Sequence, residues 1–271
     1  MKYDNVKSRI AIGIVIYTPQ ENLIDRIRII QESSHTIYVF DNSPEIGVVG
    51  EFCRKQENCR YITYGSNVGL GIGISALCSE AFNEGHSALL FFDQDTFFSG
   101  TTLSFVQEFY INNAHLESEY SAIVFNAKKG NNPGNEKGSQ VKNVFLAISS
   151  GSLFFLKNLK EMGWHNTGYF VDCVDYEFCL NSNNNNFRIG EVSSTPGFDH
   201  QTGQEDQEYV FLKKKMLLRP YKLARMSDAI SAYFKLIMAS LFSLNIRYFL
   251  LFIKSMLIYI YYQILVRILA F

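Results

Sequence analysis

ALLFFDQDTF, residues 88–97, divides into two parts of opposite character. Ala88 to Phe92 are five consecutive apolar residues, the pattern of a strand buried on both faces. Asp93, Gln94, Asp95 and Thr96 then fall where that strand must emerge. Open α/β sheets bind ligands at the carboxyl ends of their strands. Two carboxylates one residue apart suit a divalent cation, because hard cations such as Mg²⁺ prefer carboxylate and phosphate oxygens. A lone Asp-x-Asp is more often a solvated turn, so the weight rests on what surrounds it.

Upstream, RIAIGIVIY (9–17) and TIYVF (36–40) read as strands, with a third over 60–64. Between them lie a helical pattern over 20–32, with Leu23, Ile27 and Ile30 on one face, and a shorter one over 47–56. Residues 70–84 read as the helix before the Asp-x-Asp strand, and 100–113 as the helix after it. This alternation predicts an α/β domain with a mostly parallel sheet flanked by helices. Further on, 121–126, 187–191 and 196–200 read as strands and 173–182 as a helix. Residues 144–156 are apolar, interrupted by Ser149, Ser150 and Gly151. KKGNNPGNEKGSQ (128–140) and the four Asn at 183–186 read as loops.

The 271 residues suffice for a full hydrophobic core. A net charge of −1 gives no case for nucleic acid. The charge is unevenly spread: after Asp228 there is no acidic residue, while Lys235, Arg247, Lys254 and Arg267 remain. The chain is therefore divided into a globular domain, 1–228, and a C-terminal helical segment, 229–271. Apolar sequence with basic and no acidic residues fits a helix lying in the headgroup layer of an anionic membrane. A buried or oligomeric helix pair and a spanning hairpin are the alternatives. The five cysteines are odd in number, fit no zinc spacing and read as reduced thiols. The short apolar run at 10–17 reads as a first strand in preference to a signal peptide.

Four segments carry chemistry. Asp41 follows the second strand and can accept a hydrogen bond from a pyrimidine imide, or serve a turn before Pro44. Asn67, Gly69, Gly71 and Gly73 lead into a helix, where glycine permits close approach of a phosphate or ribose. Their spacing is not the dinucleotide fingerprint. The Asp93–Asp95 turn is the third segment. In GYFVDCVDYEFCLN (168–181), Asp172, Asp175 and Glu177 gather at a helix start, a setting for a general base or for plain dipole stabilisation. His200 ends a short strand, where it is a surface residue or completes a metal site.

In this order the segments VFDNSP (39–44), NVGLGIG (67–73), LLFFDQDT (89–96) and the run from AISSGSLF to VDYEFCLN resemble the inverting family 2 bacterial glycosyltransferases of GT-A, Rossmann-like fold. Within that family the Asp-Gln-Asp and Ser-Ser-Gly forms are most similar to rhamnosyltransferases of O-antigen and capsule synthesis. The resemblance covers residues 9–203. It implies that Asp41 reads the donor base, with Tyr17 and Thr18 beside it, that Asn67, Gly69 and Gly71 bind the donor, and that Asp93 and Gln94 lie near the ribose. It makes Asp95 the ligand of Mg²⁺ or Mn²⁺, with His200 a further metal or diphosphate ligand. Asp175 becomes the general base, Glu177 orients it or the acceptor, and Asp172 shares or takes the base role. Ser150 and Gly151 line the donor sugar or acceptor, and Trp164 stacks on the acceptor. The implied partners are a nucleotide-sugar donor (dTDP-rhamnose, or a UDP-sugar), a polyprenyl-diphosphate-linked saccharide and an anionic membrane surface. A homodimer is also compatible, and the implied location is the cytoplasmic face of the bacterial inner membrane. The sequence departs from the family where Asn181 replaces the usual Arg and Val174 replaces an acid. Three other classes remain open: a sugar nucleotidyltransferase, which would want a Gly-rich basic loop where Tyr17-Thr18-Pro19-Gln20 stands, a non-catalytic binding scaffold, and a UDP-hexose or galactofuranosyl transferase.

Overall fold

The structure is a computed structural model that describes residues 9–33, 35–126, 141–200, 207–211 and 214–269. The loop expected over 128–140 lies outside the described residues. The chain forms two compact units, one ending at His200 and one beginning at Gln201.

The first unit opens as an alternation. Strand β1 (Ile10–Ile16) leads to helix α1 (Leu23–Glu32), β2 (Ile37–Asp41) to α2 (Val48–Arg54), and β3 (Cys59–Thr63) to α3 (Leu70–Asn83). Then come β4 (Ala88–Asp93), the two-residue β5 (Thr96–Phe97), α4 (Gly100–Asn112) and β6 (Tyr120–Phe125). The remainder is β7 (Lys142–Val144), β8 (Ser152–Phe155), α5 (Leu156–Met162), α6 (Val174–Asn184), β9 (Arg188–Val192) and β10 (Asp199–His200). Eight of these strands form one sheet in the order β3-β2-β1-β4-β8-β6-β9-β7. Strands β3, β2, β1 and β4 are parallel to one another, and β6 pairs parallel with β9. Covered on both faces, the central strand β1 is uniformly apolar and every residue of it is buried. Ile10, Ile12, Ile14 and Ile16 share a core with Leu23, Ile27 and Ile30 of α1, as the helical spacing predicted.

Register sets the site. Ile16 is opposite Asp41 and Val15 is opposite Asp93, so both acidic strand ends flank the end of β1 at one edge. Strand β8 runs antiparallel to β4 and β6. Its first residues therefore come to the carboxyl edge of the parallel strands, bringing Ser149–Gly151 to the end of β4. Antiparallel β8 was not expected, because an apolar run carries no direction. It turns at Phe155 straight into α5, also unexpected. Two of the Asn read as loop instead finish α6, where the Asn181 amide donates to the Met162 carbonyl at 3.3 Å and Asn185 Nδ2 to the Asn181 carbonyl at 2.9 Å. Of 196–200 only Asp199 and His200 are extended, paired with β5.

The second unit contains the hairpin β11 (Gln207–Phe211) and β12 (Lys214–Leu218), not expected from sequence, followed by helices α7 (Leu223–Phe242) and α8 (Ile246–Leu269). The division drawn at 228/229 falls inside α7. Asp228 marks where the charge pattern changes, but it is an exposed residue of a continuous helix.

Candidate active site

Two consecutive serines join the acidic segments. The Ser150 hydroxyl accepts the Asp93 backbone N–H at 3.0 Å and lies 2.6 Å from the Thr96 hydroxyl. Ser149 donates to the Asp175 carboxylate twice, from its backbone N–H at 3.1 Å and from its hydroxyl. The next residue, Gly151, donates its N–H to the Phe91 carbonyl at 2.8 Å. Carboxylates some eighty positions apart in sequence thus meet across one short segment. Burial, then Asp175, then Asp95 push the Asp93 carboxyl up to about 7. Asp175 is also raised by burial, against the two Ser149 hydrogen bonds that favour its ionised form. Asp95 is exposed at the tip of the turn.

Helix α6 begins abruptly. Cys173 precedes it in the left-handed conformation (φ 67°), which a non-glycine residue adopts at some cost. Asp172 lies just outside this turn and Asp175 in the first turn of the helix. Glu177 is buried, its proton affinity raised by desolvation, and accepts from the Asn166 amide at 3.3 Å. Its visible work is to hold the 166–170 segment, one route to the orienting role expected of it.

Several residues expected to meet a ligand are engaged by the protein. Asp41 is buried, with one carboxylate oxygen accepting the Ser43 N–H at 2.8 Å and the other the Tyr61 hydroxyl at 2.6 Å. The Gln94 side-chain oxygen accepts the Tyr17 N–H at 2.8 Å, and the Thr18 N–H reaches Ser43 at 2.8 Å, tying the ends of β1, β2 and β4 together. Tyr17 itself is exposed. Asn67 is exposed and accepts the Gly69 N–H at 3.1 Å. The glycines are not an open phosphate cradle. A Cβ at Gly69 would lie 2.7 Å from the Phe170 carbonyl oxygen, and one at Gly71 would lie 2.7 Å from that of Asn166. The Leu70 N–H, one of the free donors of the helix start, is taken by the Phe170 carbonyl. The space glycine leaves is filled by the segment leading to α6.

Ser150 and Gly151 likewise brace the protein. Ser150 is buried, and a Cβ on Gly151 (φ 80°) would lie 2.6 Å from the Phe125 carbonyl oxygen. Trp164 packs edge-on against Phe82 in the last turn of α3, about three turns from Gly71. The ring is only partly buried by that contact. His200 is placed by its backbone, paired with Thr96 beside Asp95. Its side chain lies outside the described residues.

The chain matches no protein-family model and no curated protein. Among solved structures it is similar to S. aureus TarS (15% identity, TM-score 0.54, covering 73% of this chain and 37% of that one). It is also similar to S. aureus TarS 1-349 in complex with UDP-GlcNAc (15%, TM-score 0.50, 70% and 57%). A third is GalNAc-T7 with UDP, GalNAc and Mn²⁺ (10%, TM-score 0.52, 68% and 42%). The fold is GT-A-like. At these identities the likeness is one of fold, and the chain spans between 37% and 57% of the length of these three.

Within this GT-A-like domain Asp93, Asp95 and Asp175 lie in an acidic region and form no ion pair among the described residues. Arg26 of α1 is the nearby cation. It is buried, its guanidinium stands 4.8 Å from the Phe97 ring centroid and 3.5 Å from the Thr96 carbonyl, and it is electrostatically coupled to Asp95. Such surplus negative charge fits a divalent cation. Among the described residues no three His, Cys, Asp or Glu side chains are gathered to hold one. A cation held by Asp95, with Asp93 behind it, would complete its shell from water and donor oxygens, as Mg²⁺ commonly does. Sequence reasoning missed Ser149 and Arg26. The Ser-Ser pair was a signal for the first. The second, a basic residue one position from Ile27 of the buried face, carried none.

Proposed function

We propose that this chain is a glycosyltransferase that moves a sugar from a nucleotide-diphosphate donor to a hydroxyl acceptor. The observation that carries this reading is the meeting of the Asp93–Asp95 turn with Asp175 through Ser149 and Ser150, at the carboxyl edge of a GT-A-like sheet. Neighbours of this fold solved with UDP-GlcNAc, or with UDP and Mn²⁺, support it. Asp95, exposed, faces the donor diphosphate. When bound, a divalent cation supplies charge neutralisation to the departing diphosphate. Asp175 accepts the proton of the acceptor hydroxyl. The oxygen forms a bond to the anomeric carbon as the bond to the diphosphate oxygen breaks, a single displacement that inverts the centre. The raised proton affinity of Asp175 suits a base that must bind a proton and give it up.

The finer reading rests on the sequence resemblance. It makes the donor dTDP-rhamnose and the acceptor a polyprenyl-diphosphate-linked saccharide of a surface polysaccharide. The nucleotide of the neighbours' complexes favours a UDP-sugar as second choice. Asp175→Asn tests the base: transfer should fall about 10²–10⁴-fold, while calorimetry shows donor affinity nearly unchanged. Substantial turnover in the variant would move the role to Asp172 or dismiss it.

A further inference from the structure

Helix α8 is apolar on both sides, and among the described residues only one side is covered. Tyr248, Phe252, Leu265 and Val266 are buried, and α8 packs against α7. The opposite side follows helical spacing from Ile246 through Leu250, Lys254, Leu257 and Ile264 to Ile268, and all six are exposed. An uncovered, mostly apolar stripe of this length, about 33 Å, is not what water selects. The connecting turn carries a second, independent sign. Leu244 adopts a left-handed backbone (φ 56°) that Gly or Asn takes at less cost, and its side chain is 82% exposed. Phe242 beside it is 79% exposed. The turn therefore presents apolar surface at a backbone cost.

We infer that the α7–α8 hairpin seats in one leaflet of an anionic bilayer, with α8 lying in the plane of the surface, independently of what the first unit transfers. Charge selects this occupant. From residue 229 onward the chain has basic residues and no acidic ones, which complements anionic headgroups. Charge also selects the orientation. Among the described residues α8 is the helix long and apolar enough to cross a membrane. Crossing would carry Lys254, two turns and about 12 Å beyond Ile246, close to the bilayer midplane. That position disfavours insertion by roughly a hundredfold. In the plane of the surface the same side chain lays its stem along the stripe and keeps its ammonium among the headgroups. Arg267 is used internally, donating to the Tyr221 carbonyl at 2.7 Å and the Gln263 carbonyl at 2.7 Å, which fixes the far end of α8.

The test uses the full chain and flotation with two vesicle types, phosphatidylcholine alone and phosphatidylcholine with about one-third phosphatidylglycerol. The protein should float with the anionic vesicles, and an alkaline carbonate wash should release it. Leu257→Asp changes an exposed residue and should leave circular dichroism intact while weakening binding at least about tenfold. Lys254→Gln should weaken it about fivefold on anionic vesicles only. Binding unaffected by Leu257→Asp would overturn the proposal, as would equal binding to both vesicle types. Retention after carbonate would show a spanning helix and overturn the in-plane seat. A wild-type dimer that Leu257→Asp makes monomeric, with no vesicle binding by either, would assign the stripe to a second copy of the chain.

Discussion

Asp93 lies at the end of a wholly apolar strand with two carboxylates for neighbours, so its charge is expensive before any ligand arrives. Its folded carboxyl titrates at about 7 against an ordinary value near 3.8. The folded state therefore holds the proton more tightly than the unfolded chain. Stability is lost as pH rises from about 4 to 7, by about 4 kcal/mol at most. Asp93→Asn removes that loss and keeps the side-chain shape. In chelated protein the variant should melt above the wild type at pH 8, and its advantage should grow by about 2–3 kcal/mol between pH 5 and pH 8. Equal gains at the two pH values would mean that Asp93 is not held protonated. The same substitution should weaken cation-dependent donor binding, so stability and function should move in opposite directions. At this scale the acids were legible, because burying a carboxylate at a strand end is rarely accidental. Their partners were not. Whether Asp41 faces a ligand or Tyr61, or Trp164 a sugar or Phe82, depends on neighbours that no local pattern names.

Elements show the same division. Continuous apolar runs located β1 to β4, and helical patterns α1 to α4, because each must bury apolar surface in the shared core. The direction of β8 was hidden, since an antiparallel strand inserted among parallel ones is apolar on both faces like its neighbours. Yet this reversal brings Ser149 and Ser150 to the acids. The glycines of α3 were visible as points of close approach, and the group that approaches them within the fold is polypeptide. A matched pair of substitutions separates the two purposes. Gly71→Ala places a methyl 2.7 and 2.9 Å from two backbone carbonyl oxygens, which cannot swing aside as a side chain can. Despite the better helix propensity of Ala, it should lose about 1–3 kcal/mol in denaturant melts and disturb the approach to α6. Gly100→Ala, at the start of α4 with nothing within 4 Å of the added methyl, should gain about 0.4–1 kcal/mol. A stable Gly71→Ala variant that no longer bound donor would restore the phosphate-cradle reading.

For the whole molecule, the eight-stranded sheet acts as a frame that converts separate strand ends into one acidic edge, and in the proposed function a nucleotide-sugar donor is the partner of that edge. Without it, the region keeps Asp93 part-protonated and Asp175 dependent on Ser149. A donor with its cation binds only where these groups are assembled, so its binding free energy adds to the folding free energy. At a hundredfold excess over its dissociation constant a ligand contributes about 2.7 kcal/mol, or a rise of roughly 5–11 °C in melting temperature for a domain of this size. A screen of UDP- and dTDP-sugars against the full chain, each with Mg²⁺, with Mn²⁺ and with chelator, should find at least one donor giving that rise only with the metal. Asp95→Ala should abolish the rise while changing the ligand-free melting temperature little, since Asp95 is exposed and its attraction to Arg26 is opposed by its repulsion of Asp93. A rise that persisted in chelator would separate the donor site from Asp95. A rise given equally by NAD and by nucleotide sugars would remove the sugar from the proposal, because a site built for glycosyl transfer must read more than a diphosphate.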